Sequence, residues 1–302
     1  MPPGPHLPLH REPKPWRPLR PPIFRKPERW RPPKGKTVTV CIAAITRENY
    51  IVTASDTMVS YFMSSTDAST VKMEEFHEDW IALIAADDLT QCIPIMERAK
   101  ENFTGKPNNF RVARACFKRA YRQHLDERMT DIVLAKFSTN MKQFRERGKA
   151  LFTETVYNQL ASEIREIKGE CDFLIFGLDA QGAAHLFTVT DPGKDEIYDK
   201  PGFAAIGSGL YAANGMLYQL GQTVDLNVYQ TIFNVCAAKF TAERVAGVGK
   251  DTFLFVKKKG CHAFSRESWL LPTIRKAWED QGQPRVPDGI LKQMETANLA
   301  FS

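Results

Sequence analysis

The chain has 302 residues, 43% of them hydrophobic and 25% charged, so it can bury a sizeable core. The sequence lacks the run of about 18 apolar residues that a transmembrane helix needs, and no apolar segment of a secretory signal follows its basic N-terminus. The net charge of +6 is unevenly distributed, because residues 1–36 carry ten Lys and Arg against two Glu, a net +8. The remaining 266 residues therefore carry −2 and are close to neutral.

Proline dominates the first 36 residues. They contain twelve of the nineteen prolines, interleaved with Lys, Arg and single aromatic residues. Because proline fixes φ and removes a hydrogen-bond donor, neither helix nor strand is expected there. We predict a disordered extension. Clustered Lys and Arg bind phosphates, so two alternatives stay open: a tether of this basic tail to an anionic surface or nucleic acid, and a propeptide.

Two strand pairs and a helix are predicted between residues 37 and 102. β-branched and other apolar residues form short stretches bounded by polar turns, which is typical of strands. A stretch with apolar residues at helical spacing follows them. The predicted strands cover residues 37–45, 50–55, 70–75 and 80–86, and the predicted helix covers residues 90–102.

A long helix-forming stretch and a second group of strands come next. Residues 110 to about 168 are rich in Ala, Arg, Glu, Lys and Gln and contain no proline, which predicts one long helix or a hairpin of two. Apolar runs separated by Asp-Ala-Gln-Gly and Asp-Pro-Gly turns then predict strands. These strands cover 172–178, 185–189, 203–206 and 251–256, and helices run from the Gly-Ser-Gly turn at 207–209 to about 220 and over 227–245, 265–281 and 288–298.

The order of these elements indicates the fold class. Two hairpins, helices, further strands, two more helices and a last strand suit two antiparallel sheets packed face to face with helices outside both. We therefore predict an α+β protein with a four-layer αββα sandwich. The predicted domains are a disordered extension at 1–36, the sandwich at 37–260 with an enlarged helical segment at about 105–168, and a C-terminal helical extension at 261–302.

Four segments, in this order, carry a family resemblance. They are the Thr-rich strand that precedes Ile51-Val52-Thr53-Ala54-Ser55-Asp56, Val71-Lys72 followed by the strand at 80–86, the Phe-Leu-Ile-Phe-Gly-Leu-Asp run at 173–179, and Phe-Ala-Ala-Ile-Gly-Ser-Gly at 203–209. Over about residues 37–258 the chain resembles the proteasome β-subunit branch of the N-terminal nucleophile (Ntn) hydrolases. The resemblance implies the αββα sandwich and the hydrolysis of amide bonds by an N-terminal threonine.

The resemblance also implies roles for three residues. In an Ntn hydrolase the free α-amine of the nucleophile, with a pKa of about 8, accepts the hydroxyl proton. Lys72 would lower that pKa and polarise the hydroxyl, Asp56 would hold the lysine, and Ser208 would position the amine, while a glycine turn would bind the oxyanion. The alternatives are a strand-end cap for Asp56, a solvated strand residue for Lys72 and a helix N-cap for Ser208.

The spacing does not fix which threonine is the nucleophile. Counting the family spacing back from Asp56 leads to Val40, which carries no nucleophile. One extra residue in the turn leads to Thr39, which we favour because the insertion is smaller, and three extra residues lead to Thr37. The alternative is that both threonines are ordinary strand residues, since β-branched side chains favour strands.

The sequence departs from the family pattern at two points. The family cuts its chain after a glycine, which tolerates the conformation that self-cleavage needs, whereas Lys36 and Val38 precede the two candidate threonines. The family's later Asp and Ser align with Arg244 and Gly247. These departures favour a catalytically inactive member of the same fold as the alternative to an enzyme.

The predicted function is that of a proteasome-like threonine-type peptidase or amidohydrolase. By resemblance it would act on peptides or unfolded proteins in a ring-shaped homo-oligomer. No cofactor and no metal are expected, because Asp87-Asp88 lacks a second cluster of ligands at metal-binding spacing. The six cysteines form no CxxC pair, which indicates reduced thiols and a cytoplasmic location. The alternatives are an inactive structural subunit of a similar assembly and a binding module with a basic tail.

Overall fold

In a computed structural model, the protein is described from residue 39 to residue 282 with four short gaps. The described residues are 39–61, 64–67, 72–86, 89–264 and 270–282. Only the backbone is described at 58–61, 64–67, 261–264 and 281–282. The predicted extension at 1–36, Thr37, Asp87-Asp88 and the predicted helix at 288–298 lie outside the described residues.

Twelve strands lie in the described part of the chain. Those before the helical segment are β1 (Cys41–Ile45), β2 (Ile51–Asp56), β3 (Met58–Tyr61), β4 (Ser64–Asp67), β5 (Met73–His77) and β6 (Trp80–Ala86). Those after it are β7 (Cys171–Leu178), β8 (Ala184–Thr190), β9 (Lys194–Ile197), β10 (Phe203–Ile206), β11 (Thr252–Lys258) and β12 (Cys261–Phe264).

Seven α-helices accompany these strands in the described residues. They are α1 (Ile93–Phe103), α2 (Phe110–Met129), α3 (Met141–Leu151), α4 (Glu154–Glu166), α5 (Leu210–Gln219), α6 (Val228–Ala242) and α7 (Leu270–Ala277). Asparagine side chains cap three of them, because Asn109, Asn140 and Asn227 each accept a hydrogen bond from a backbone N–H of the first turn.

Ten of the strands form two five-stranded antiparallel sheets. The first sheet has the order β10-β1-β2-β11-β12 and the second has the order β5-β6-β7-β8-β9. Strands β3 and β4 form a separate two-stranded ribbon. The central strands, β2 and β7, pair along nearly their whole lengths with both neighbours.

Both faces of each sheet are covered, which explains why inner strands such as β1, β6 and β7 are almost entirely apolar. In β1, Cys41, Ala43 and Ile45 face the second sheet, whereas Ile42 and Ala44 pack against α5 and α6. Successive side chains of a strand point to opposite faces. A strand covered on both sides therefore needs apolar residues at every position, and all five residues of β1 are buried.

The same alternation continues in the second sheet. In β6, Trp80, Ala82 and Ile84 pack with α1 and α2, while the residues between them face the first sheet. The order of layers is therefore α1 and α2, second sheet, first sheet, and α5 and α6. This arrangement confirms the predicted α+β fold with a four-layer αββα sandwich.

The helical segment between the sheets' strands differs from the prediction. Residues 110–166 form three α-helices rather than one long helix or a hairpin of two. A π-helical turn and a 3₁₀ turn follow α2, and Ser138 then adopts a left-handed conformation with φ of +52°. Neither proline nor glycine marks this break, so the sequence did not reveal it. Helices α3 and α4 share a small apolar cluster of their own.

Two of the strands missed by the sequence analysis lie at sheet edges. β9 carries the sequence Lys-Asp-Glu-Ile and has no buried residue, so it shows no apolar alternation. β12 pairs with β11, which extends to Lys258. Lys257 and Lys258, which follow the strand predicted at 251–256, therefore belong to that strand.

The C-terminal part of the described chain packs on the first sheet's helical side. Leu270, Leu271 and Ile274 of α7, together with Trp278, join the apolar cluster of α5 and α6. This helix lies within the predicted span of 265–281. None of the helices in the described residues has the length and apolar character required to cross a bilayer.

Candidate active site

Asp56 is the centre of a buried polar cluster at the end of β2. One carboxylate oxygen, Oδ1, accepts hydrogen bonds from the Thr39 hydroxyl, from Val40 N–H at 3.0 Å and from Lys72 Nζ at 3.0 Å. The other, Oδ2, accepts from Gly249 N–H at 3.1 Å. The side chain is 0% exposed. Donors to both oxygens replace the hydration that the carboxylate loses on burial.

Lys72 reaches this cluster from the second sheet. It directly precedes β5, and its carbonyl accepts a hydrogen bond from Ile84 N–H of β6 at 2.9 Å. Its Nζ donates to both Asp56 and the Thr39 hydroxyl. Thr39 lies just before β1 and Asp56 ends β2, and both strands belong to the first sheet. The lysine therefore links the two sheets. Lys72 is 4% exposed and forms a buried ion pair with Asp56. The alternative prediction, that Lys72 is a solvated strand residue, is therefore wrong.

Thr39 lies just before β1, which begins at Cys41. The observed strand is therefore shorter than the one predicted at 37–45 and does not include Thr39. Its hydroxyl accepts a hydrogen bond from Lys72 and donates one to Asp56. Its backbone N–H donates to Ser208 Oγ at 3.2 Å, and its carbonyl accepts from the Ser208 hydroxyl at 3.2 Å and from Gly209 N–H at 3.1 Å. Thr39 is therefore held at both its side chain and its backbone.

The Gly207-Ser208-Gly209 turn brings Ser208 to the Thr39 backbone. Gly207 has φ of +87°, a left-handed conformation that favours glycine. A Cβ atom at this position would lie 2.4 Å from the Thr39 carbonyl oxygen, so the close approach also requires glycine. The N-cap residue of α5 is Gly209, without a side-chain hydrogen bond. The alternative prediction, that Ser208 caps this helix, is therefore wrong.

The structure brings together four of the residues predicted from the sequence: Thr39, Asp56, Lys72 and Ser208. Thr37, the alternative nucleophile, lies outside the described residues. A thiol close to the cluster, that of Cys41, donates to the Ile84 carbonyl at 3.5 Å. Burial raises the pKa of this thiol to about 12, so it stays protonated and is no alternative nucleophile near neutral pH.

Sequence analysis missed two contributors on the far side of Asp56. Gly249 supplies a backbone donor, and Lys239 of α6 donates to the Gly249 carbonyl at 2.8 Å. Arg244 and Gly247, which align with the family's later Asp and Ser, are not among the described residues that donate hydrogen bonds to Asp56. The Arg244 guanidinium lies 5.8 Å from the Trp278 ring centroid, and Gly247 has φ of +92° in the loop before β11. The only sequence signal for the missed contacts is the Gly-Val-Gly run at 247–249.

The cluster can polarise a hydroxyl group. The Lys72 ammonium donates to the Thr39 oxygen while the Asp56 carboxylate faces the Thr39 proton. This pairing lowers the cost of developing negative charge on the oxygen and offers a proton acceptor at hydrogen-bond distance. Within the described residues, no group of three or more His, Cys, Asp or Glu side chains is placed to hold a metal ion.

Comparison with known proteins connects this geometry to a fold. No protein-family model matches the chain, and no curated protein matches it. The fold is similar to that of a bacterial proteasome-like protein, in the structure of the Anbu (Gly-1) mutant from Hyphomicrobium sp. strain MC1. The TM-score is 0.54 and the identity 14%, and the match covers 87% of this chain and 99% of that one. The likeness is one of fold: this chain shares the αββα fold of that proteasome-like protein.

Proposed function

We propose that this chain is a proteasome-like peptidase or amidohydrolase whose nucleophile is Thr39, released as a new N-terminus by cleavage after Val38. One observation carries the proposal. The Thr39 hydroxyl contacts both Lys72 and Asp56, and the Thr39 backbone nitrogen lies 3.2 Å from Ser208 Oγ. An N-terminal nucleophile needs its hydroxyl and its own amine in one polar cluster. The contacts of the Thr39 hydroxyl and of its backbone nitrogen, which cleavage would free as an amine, support this assignment.

Processing would use the same hydroxyl that later attacks substrates. Thr39 Oγ1 attacks the Val38 carbonyl carbon, the C–N bond breaks as the nitrogen takes up the hydroxyl proton, and an ester remains. Water then hydrolyses this ester, so the net reaction adds one water molecule. It leaves a carboxyl group on Val38 and a free α-amine on Thr39.

Substrate hydrolysis would follow with the α-amine as base. A neutral α-amine, whose pKa is about 8 in model compounds, takes the hydroxyl proton as the oxygen attacks the substrate carbonyl. The leaving amine receives that proton, and water hydrolyses the acyl ester of Thr39. The Lys72 ammonium disfavours protonation of the nearby amine. Asp56 holds Lys72, and Ser208 holds the amine nitrogen.

Access to the nucleophile would depend on a change at the site. Thr39 is 1% exposed, Asp56 0% and Lys72 4%. A peptide could therefore reach the Thr39 hydroxyl only after the residues that cover it move or are removed.

The proposed enzyme works as a homo-oligomer on peptides or unfolded proteins. The supporting observation is the uncharged outer face of α5 and α6. Three tyrosines on these helices are highly exposed: Tyr211 at 83%, Tyr218 at 70% and Tyr229 at 81%. Tyrosine is enriched in protein interfaces because its ring buries a large apolar area while its hydroxyl keeps a hydrogen bond.

A catalytically inactive subunit of a similar assembly is the second candidate. The observation in its favour is that Val38 rather than a glycine precedes Thr39. Arg244 and Gly247 also occupy the positions aligned with the family's later Asp and Ser. In such a protein the Asp56–Lys72 pair would serve as a buried ion pair that fixes the two sheets relative to each other.

Substitution of Lys72 tests the proposal against this second candidate. We expect Lys72→Ala to slow processing and hydrolysis of fluorogenic peptide amides by about 10²- to 10⁴-fold, the range for a lost acid–base group. Lys257→Ala is the matched control, because Lys257 is also a buried lysine and its Nζ donates to the Glu78 carbonyl at 2.8 Å. Lys72→Ala with wild-type activity would refute the assigned role. A wild-type protein without either activity would favour the inactive subunit.

A further inference from the structure

A second buried lysine lies behind Asp56, on the side away from Thr39. Lys239 is in the last turn of α6 and is 0% exposed. Its Nζ donates to Glu243 Oε1 at 2.6 Å, to the Gly249 carbonyl at 2.8 Å and to the Lys250 carbonyl at 2.9 Å. All three hydrogen atoms of the ammonium group thus have an acceptor.

The loop held by Lys239 is the one that contacts the candidate site. Gly249 uses its two backbone groups in different directions. Its carbonyl accepts from Lys239, and its N–H donates to Asp56 Oδ2 at 3.1 Å. A single residue therefore separates the ammonium of Lys239 from the carboxylate of Asp56.

Glu243 and α7 fix Lys239 from outside. The Arg275 guanidinium makes two hydrogen bonds of 2.8 Å to the Glu243 carboxylate and one of 3.2 Å to the Lys250 carbonyl. It also lies 4.0 Å from the centroid of the Phe240 ring. Bidentate pairing of this kind fixes direction as well as distance. The lysine is therefore held in one position.

We propose that Lys239 is a positioning residue for the candidate active site. By binding the Gly249 and Lys250 carbonyls, it holds the loop before β11 so that Gly249 N–H points at Asp56. Asp56 in turn orients the Thr39 hydroxyl and Lys72. The chemical part of this inference rests on the proposed function, whereas the coupling of Lys239 to Asp56 does not.

A purely local role makes a different prediction. A lysine near a helix C-terminus stabilises the helix through its carbonyls and dipole whether or not Asp56 is present. In that case the cost of Lys239→Met would be the same with and without Asp56→Asn. In the positioning role, part of the cost arises from the lost Gly249–Asp56 contact and disappears in the Asp56→Asn background.

A double-mutant cycle on the full chain separates these two roles. Unfolding in denaturant would be measured for the wild type, Lys239→Met, Asp56→Asn and the double variant. We expect the two changes to be non-additive by a factor of about 5 or more in the unfolding equilibrium constant, the range for residues in one hydrogen-bond network. Lys257→Met with Asp56→Asn is the control pair and should be additive. Additivity of the Lys239 pair would overturn the proposal.

A milder variant covers the case in which Lys239→Met does not fold. Glu243→Gln keeps the side-chain volume and removes the charge that fixes Lys239. We expect the same sign of coupling to Asp56→Asn at about twofold in the unfolding equilibrium constant. Full additivity for this pair would also overturn the proposal.

Processing gives the second readout. Lys239→Met keeps Thr39, Lys72 and Asp56, so we expect slower processing, by about 10- to 100-fold, from misplaced groups. A wild-type rate would contradict positioning. If the wild type does not process, the proposed function fails while the double-mutant cycle still decides the role of Lys239.

Discussion

The two outer helical layers of the sandwich differ in charge. Helix α2 carries eight charged residues, whereas α5 carries none and α6 carries only the buried Lys239. The exposed face of α2 presents Arg111, Arg119 and Arg122. The exposed faces of α5 and α6 present tyrosines instead. The first layer is suited to solvent, and the second is suited to contact with another protein surface.

The uncharged layer is also the one that supports the candidate site. Ser208 lies in the turn directly before α5, and Lys239 lies near the end of α6. Burying charges at an interface costs free energy unless they are paired, so a partner would cover this layer more readily than the α1 and α2 layer. The difference indicates that the candidate chemistry and the proposed assembly share one side of the molecule. The charged layer then contributes stability and solubility.

Gly207→Ala should give the largest effect, because it displaces the start of the uncharged layer from Thr39. The new Cβ would lie 2.4 Å from the Thr39 carbonyl, in a backbone with φ of +87°. We expect a loss of about 2–4 kcal/mol in the free energy of unfolding and loss of processing. Gly221→Ala is the control, because Gly221 also has a positive φ of +65°, but a Cβ atom added there would meet no atom within 4 Å other than those of its chain neighbours. It should cost about 1 kcal/mol and leave processing intact. Equal costs for the two variants would contradict the close approach.

The exposed tyrosines test whether the uncharged layer is a contact surface. We expect Tyr211→Ala and Tyr229→Ala each to weaken self-association about 10- to 30-fold in sedimentation velocity, the range for aromatic hot spots. Arg111→Ala and Arg119→Ala on α2 are the matched controls and should leave the sedimentation profile unchanged. A stronger effect from the α2 variants would reverse the comparison. A wild-type monomer would remove the assembly part of the account.

A histidine on the charged side should give a pH-dependent contribution to stability. His185 of β8 stacks on Phe110 of α2 at 4.5 Å and contacts Asp199 at 2.7 Å and Asp179 at 3.3 Å. Burial lowers its pKa, but hydrogen bonds and charges of the two aspartates outweigh burial, so the pKa is raised. The stabilisation is therefore complete below the unfolded pKa of about 6.5 and is lost as the pH rises through the folded pKa.

Thermal unfolding across this pH window tests the histidine. The wild type should lose stability relative to His185→Gln as the pH rises above the unfolded pKa of about 6.5 and through the raised folded pKa. Processing should be unaffected by the substitution after correction for stability, because His185 lies on the other side of the sandwich from the candidate site. Parallel stability curves for the two proteins would show that the histidine does not titrate as described.

Asp195→Asn should have the smallest effect. Asp195 of β9 pairs with Arg114 at 2.7 Å and with Lys118 at 2.6 Å on α2. Pairs at a partly exposed surface contribute about 0–1 kcal/mol. We expect a change of this size in the free energy of unfolding at low salt, less at high salt, and no change in processing. A large effect on processing would show that the charged layer takes part in the chemistry.

The sequence was sufficient for the fold where residues are apolar on both faces. The strands at 80–86 and 203–206 have the predicted bounds because both faces are covered, so every residue is apolar. β9 was missed because an edge strand with the sequence Lys-Asp-Glu-Ile shows no such pattern. The break between α2 and α3 was missed because Ser138 adopts a left-handed conformation without a glycine or proline signal. The break between α3 and α4 was missed because Phe152 and Thr153 are extended, again without a glycine or proline at the break.

The candidate site was predictable where side chains carry the contacts. Asp56 and Lys72 were predicted from the family resemblance, and they form an ion pair of 3.0 Å. Gly249 was missed because a backbone N–H leaves no mark on residue type. Lys239 was missed because its acceptors are mainly carbonyl groups of a loop that only the tertiary structure brings near. Counting residues could not separate Thr39 from Thr37, since one insertion in a turn changes the result.

The N-terminal sequence and intact mass of the protein, expressed without an N-terminal tag, test the central claim most directly. The account predicts a new N-terminus at Thr39 and a loss of about 4 kDa, the share of 38 residues in a chain of 302 residues and 34.2 kDa. An N-terminus at Thr37 would transfer the nucleophile to the alternative threonine. Retention of the proline-rich segment and the full 34.2 kDa would contradict the account, because no α-amine would then exist at the candidate site.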